Sequence, residues 1–243
     1  MRTLEQADLV SYLILGSAFL PPGPKSQPPL EVFQIHHILE RAAANSYICC
    51  PPEVLEILYT ASRLSTVDTS DPAVAEEVSQ DGAGLIRRAR AFDMQSWACD
   101  IHSIPHYSKL PMQSRIHVAT AHMLATCSYI LHALPCVIEV VGSDVPGTLY
   151  NALITELASI PEDDPNFKAT TWPSFIAGAG ATNPDIKVWV MERLQQLAVQ
   201  VPWGFIYTAM DTLRDLWRLQ NEGKTKGSWV QTLRDPDLSF LIV

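Results

Sequence analysis

The sequence predicts an all-α fold, an irregular multi-helix domain with a C-terminal antiparallel helical hairpin. Three observations predict it. Apolar residues recur at three- and four-residue steps over long stretches, the spacing that lines one face of a helix. Asp71-Pro72 and Asn183-Pro184 each pair a capping side chain with a proline suited to the first helical turn. Strand signals are nearly absent: only Val137–Val141 is dense in β-branched residues, and those five residues can as well continue a helical layer after Pro135. A chain of 243 residues with 47% hydrophobic content buries a substantial core, near the upper size that one core serves.

From the N-terminus, residues 9–20 form an apolar run that ends in Gly16, Ser17 and Ala18, as a secretory signal does. The flank is wrong for one, because Glu5 and Asp8 precede the run and only Arg2 opposes them. Prolines at 21, 22, 24, 28 and 29 favour extended backbone and mark a linker. The expected organisation is therefore a helical segment with a Pro-rich linker over 1–30 and a helical domain over 31–243. Further helices are expected at 31–45, 52–65, 72–80 and 85–98, then a long, mostly buried one at 114–134 and another at 148–160. Residues 118–141 approach the length of a membrane span. They contain His122, His132, Glu139 and Pro135, and polar groups at mid-bilayer are costly, so a buried helix broken at Pro135 is expected. The run from Pro161 to Pro165 forces a loop. After Asn183, the residues Ile186, Val190, Leu194, Leu197 and Val201 share one face, and Pro202 ends the helix. Ile206, Ala209, Met210, Leu213, Leu216 and Trp217 repeat the pattern, and the short link between the two helices predicts the antiparallel pair.

Composition narrows the function. Charged residues make up 18% and the 18 prolines are dispersed, which excludes a disordered, coiled-coil or collagen-like chain. A net charge of −9 opposes attraction to a phosphate backbone. The densest basic group, Arg87, Arg88 and Arg90, reads as the solvated face of a helix. Five cysteines, Cys49, Cys50, Cys99, Cys127 and Cys136, are an odd number in mostly apolar text, which suits a reducing compartment better than a disulfide scaffold.

No constellation assigns a reaction. His102 and His106 are four apart, but Pro105 intervenes and no Glu follows His102, so they read as surface-loop histidines. His117, His122, His132 and Cys127 share the long helix at steps that scatter them around its axis, and they read as satisfied core or boundary residues. Gly178 and Gly180 lack the third glycine and the lysine of a phosphate loop and instead suggest a tight helix approach or turn. Glu162, Asp163 and Asp164 read as a solvated loop. No Gly-x-Ser-x-Gly elbow is present, although triads form in space and spacing alone does not disprove one. A zinc cluster that binds DNA needs six cysteines in paired Cys-x-x-Cys units, and this chain has five and no such unit. No catalytic, cofactor-binding or metal-binding residue is assigned and no cofactor is expected.

The stretch from Thr171 to Ala181, Thr-Trp-Pro-Ser-Phe-Ile-Ala-Gly-Ala-Gly-Ala, is followed by Asn183-Pro184, Val188-Trp189-Val190, Glu192-Arg193-Leu194 and the segment from Leu213 to Trp217. These residues resemble the second fungal-specific transcription factor domain, in which a Trp-Pro-x-Phe-Ile-Ala-Gly stretch precedes two closely spaced helices. Between about 75 and 170 the likeness is looser but keeps the order: an arginine-containing helix with a later Trp97, a long apolar helix, and a helix ending in an acidic proline loop. The resemblance implies a helical regulatory region, joined in full-length members to an N-terminal zinc cluster and acting on transcription in the nucleus. Without the cluster, three explanations stand: a fragment, a cluster-less regulator acting through partners, or the same scaffold in another use. The expected function is transcriptional regulation without catalysis, with no direct nucleic-acid binding by this chain and no membrane. Its expected partners are proteins of the transcription machinery or a small-molecule inducer, and a homodimer stays open. The alternative is a small-molecule enzyme or ligand-binding protein with a pocket between helices. Trp172, Pro173, Phe175, Trp189 and Trp217 read as packing determinants.

Overall fold

Helix starts follow the capping chemistry of the sequence. In the computed structural model, which describes residues 2–19, 32–42, 46, 48–104 and 111–235, the first helices are α1 (Arg2–Ser17), α2 (Val32–Ala42) and α3 (Pro52–Leu64). The carboxylate of Asp71 accepts the Ala73 N–H at 2.9 Å and opens α4 (Pro72–Ala91). Asp93 accepts the Ser96 N–H at 2.8 Å and opens α5 (Met94–His102). Further on lie α6 (Met112–Ala133), α7 (Val137–Val141), α8 (Val145–Ala158), a 3-10 turn (Phe167–Thr170) and α9 (Thr171–Ala179). Asn183 accepts the Asp185 N–H at 2.8 Å and opens α10 (Pro184–Gln200), which is followed by α11 (Gly204–Asn221) and α12 (Trp229–Leu233). The described residues contain no strand, and the fold is the irregular all-helical domain that the periodicity predicts. The proline-rich linker falls outside the described residues.

One expectation is corrected. Residues 72–91, expected to fall in two helices at 72–80 and 85–98, form the single helix α4, and the break falls later, at Phe92 and Asp93, so that 94–98 belong to α5. Gly82 does not interrupt α4. It is the point where Leu134 and Val137 press against the helix, and a Cβ there would overlap the Val137 side chain. The missing side chain serves packing instead of a turn. At the C-terminal end, α10 and α11 pack on each other across a link of residues 201–203, as the short link predicts. α12 follows and packs on α6. Its start carries a short capping box, in which Ser228 and Gln231 satisfy each other's backbone N–H.

α6 is the central element, packed against α3, α4, α5, α8, α9 and α12. Buried residues surround it, which explains why its text shows no clean polar face. The long apolar stretch ends at Leu134 and resumes as α7, and no helix of the described residues is long and apolar enough to cross a membrane. On the N-terminal side, Val10, Ile14, Ala18 and Phe19 belong to the same apolar cluster as the rest of the core. The guanidinium of Arg234 fastens this corner. It donates to the Ala18 carbonyl at 3.1 and 2.8 Å, to the Tyr129 hydroxyl at 2.6 Å and to Ser65 at 2.8 Å.

α9 is buried along its entire length. α10 and α11 close over it at Gly178, where a Cβ would stand 2.7 Å from Leu213 Cδ1 and 2.9 Å from Val190 Cγ1. The Trp217 indole N–H donates to the Gly178 carbonyl at 3.0 Å and anchors α11 at the same point.

Candidate functional site

The polar groups singled out in the sequence are dispersed in space. His102 is the last residue of α5, and His106 lies outside the described residues. His117 Nδ1 pairs with Glu156 at 2.7 Å, joining α6 to α8. His132 lies against Trp229, ring centres 5.2 Å apart, and burial lowers its pKa to about 4. Glu162 and Asp163 are exposed, whereas Asp164 turns inward to accept the Ser114 hydroxyl at 2.5 Å and the Asn166 N–H at 2.7 Å. Arg87, Arg88 and Arg90 are exposed on α4, as their spacing predicts.

One juxtaposition was not legible in the spacing. His36 from α2 and Glu53 and Glu56 from α3 bring their ligand atoms within 4.8 Å of one another. Arg88 already bridges both carboxylates at 2.5 Å each, so a cation sits where a metal would compete.

The buried cysteines Cys49, Cys50 and Cys127 are poor nucleophiles. Burial pushes the Cys127 thiol up to about 12 and raises Cys50 and Cys49 as well. Cys49 adopts a left-handed backbone, φ 50°, and its thiol faces the Asn166 side-chain oxygen at 3.5 Å. This supports a structural contact at the entry to α3.

A cavity of about 70 Å³ opens between α1, α6, the 3-10 turn, α9 and α11. Aromatic rings dominate its walls: Tyr12 and Phe19 from the N-terminal segment, Trp172 and Phe175 from α9, Phe205 from α11, and the imidazole of His122 from α6. The His122 and Trp172 rings are parallel to within 3°, with centres 6.0 Å apart. His122 Nε2 lies 3.0 Å from the Ala169 carbonyl, which can only accept, so the proton resides on Nε2. Nδ1 is then a bare acceptor, and it is buried without a hydrogen-bond partner. Burial lowers the His122 pKa to about 4, outweighing the Ala169 and Ile48 carbonyls that favour the charged ring, so the imidazole is neutral at neutral pH. The Trp172 indole N–H is likewise buried without a partner. His122 and Trp172, both beside the cavity, each keep one buried polar atom without a hydrogen-bond partner. The sequence located Trp172 and Phe175 as packing residues and His122 as a satisfied core residue. Half of the imidazole is satisfied, and no spacing signal could have revealed the other half.

Residues 7–243 match the family model described as the fungal-specific transcription factor domain. This chain belongs to that family. It is also 33% identical over 221 residues to the acriflavine sensitivity control protein acr-2 of Neurospora crassa, covering 85% of this chain and 36% of the relative. The chain therefore spans about a third of the length of the curated relative it matches. No solved structure matches it.

The fungal-specific transcription factor domain is a non-catalytic regulatory domain. The residues that carry the resemblance in the sequence, from Trp172 to Trp217, are the α9–α11 packing unit. Arg193 holds that unit from within. It donates to Ser174 at 3.2 Å, to Thr170 at 3.2 Å and to the Ile160 carbonyl at 3.1 Å, and it lies 4.4 Å from the centre of the Phe167 ring.

Proposed function

We propose that this regulatory domain acts in the nucleus on transcription, receiving its signal from a protein of the transcription machinery or from a small-molecule inducer, and makes no direct contact with DNA. The match to the regulatory family over residues 7–243 carries the reading. The net charge of −9 and the absence of any Cys-x-x-Cys unit support the part that concerns DNA, because phosphate binding draws on clustered cations. Fused to an unrelated DNA-binding domain, the chain is expected to change reporter transcription severalfold relative to that domain alone. No change would remove the regulatory reading. Sequence-specific DNA binding by the isolated chain at physiological salt would remove the reading on DNA. A fluorescent fusion of the whole protein is expected to concentrate in the nucleus.

A homodimer is the second reading for the partner. Val199 is 82% exposed, and Trp203 and Tyr207, across the α10–α11 link, are 40% and 51% exposed. Exposed large apolar groups close in the chain are a common feature of subunit contacts. A monomeric mass in sedimentation would exclude it.

A further inference from the structure

The cavity between α1, α6, α9 and α11 is a place where the packed elements do not fill the space they enclose. Tyr12 and Phe19 reach it from the N-terminal segment, Trp172 and Phe175 from α9, and Phe205 from α11. Protein interiors are otherwise close-packed, so a gap ringed by aromatic side chains leaves their faces and edges short of contacts. We propose that this cavity binds a small, neutral, hydrocarbon-like compound, a single ring or a short branched chain. The inference deepens the inducer part of the proposed function by naming the ligand class, and it rests on that reading only for its consequence in transcription.

The walls set the class. Polar groups on the α6 and α9 side are already engaged or closed off. The Ala169 carbonyl faces His122 Nε2 at 3.0 Å, the Thr171 hydroxyl donates to the Lys168 carbonyl at 3.3 Å, and the unpartnered nitrogens of His122 and Trp172 are themselves buried. An ordered water needs about two to four polar partners, which ring faces and aliphatic groups do not offer, so an apolar occupant gains contacts that water does not. Size follows from the volume. An apolar cavity of about 150 Å³ encloses benzene. About 70 Å³ with an open side takes a short branched chain, or one ring that projects partly through the mouth. A charged ligand is disfavoured, because Lys168 is the only charged residue among the described ones that line the cavity, and it is exposed.

The test uses the 243-residue chain labelled with nitrogen-15 and follows its six indole N–H resonances by NMR during titration with toluene, phenol and benzoate. Toluene is expected to shift the Trp172 resonance saturably and to raise the unfolding temperature as its concentration rises. It is expected to bind about tenfold more tightly than phenol, whose hydroxyl gives up water without finding a partner in these walls. Ala209, 2% exposed on α11, stands in the wall. Ala209→Leu puts a side chain into the space and is expected to abolish the toluene shift while the other resonances stay dispersed. If that variant fails to fold, the comparison of toluene with phenol on the unaltered chain decides. No saturable toluene shift at Trp172, phenol binding as tightly as toluene, or toluene affinity retained in folded Ala209→Leu overturns the proposal. Tighter binding of benzoate than of toluene overturns the neutral class. Failure of the reporter fusion with toluene binding intact removes the regulatory reading alone, and absence of toluene binding with the reporter active removes the ligand site alone.

Discussion

A hydrogen atom in place of a methyl group sets how closely α9 approaches its neighbours. At Gly178, a Cβ would stand inside contact distance of both Leu213 and Val190. Gly178→Ala is therefore expected to destabilise the domain by about 1–3 kcal/mol through overpacking, despite alanine's better helix propensity. Urea unfolding checks it: the midpoint should fall with the slope unchanged. The glycine text predicted a close approach or a turn, and the structure selects the approach. Arg193 was harder to read. It stands three residues after Val190 and four before Leu197, on the apolar face of α10, and it is 5% exposed there with Ser174, Thr170 and the Ile160 carbonyl from other elements meeting its guanidinium. Its partners lie 19 to 33 residues away, beyond any local pattern.

Helix beginnings were the most legible elements because their chemistry is local. Asp71 and Asn183 accept N–H groups only two residues ahead, and both caps form where the Asx-Pro pairs predict them. Asn183→Ala is expected to cost about 1 kcal/mol. Thermal unfolding followed by circular dichroism would show it, and Asn183→Asp should retain most of the stability because an aspartate caps equally well. Helix interruptions were less legible. Gly82 and Gly84 suggest a break in the text of α4, but the approach of α7 makes Gly82 a packing position within one helix. The β-branched run Val137–Val141 is helical because Gly82 and its neighbours give it a surface to cover, which outweighs a weak intrinsic preference for strand. α12 escaped notice because five residues leave too short a period to detect, and the Ser228–Gln231 box was its one local sign.

For the whole molecule, burial of histidines couples stability to pH. His122 has a pKa of about 4 in the fold, against about 6.5 in an unfolded chain. Between those values the unfolded chain binds a proton that the native chain does not, so stability is full above about pH 6.5 and is lost as pH falls toward 4. His122 alone is expected to cost about 2–3 kcal/mol by about pH 4.5, and His132, also lowered to about 4, adds to the loss. Urea unfolding of the unaltered chain and of folded His122→Phe across that range checks the sign, since the variant should depend less steeply on pH. By itself the sequence determined the helical class, the main helix starts, the paired helices at α10 and α11 and the family. Each depends on composition, on periodicity within one helix or on contacts a few residues apart. Tertiary structure alone decided which partners meet the Arg193 guanidinium, that α4 runs unbroken past Gly82, and that the His122 and Trp172 rings lie parallel beside a cavity, each with one buried polar atom lacking a hydrogen-bond partner. These depend on which distant side chains arrive at a given point, and the spacing of residues along the chain does not encode that.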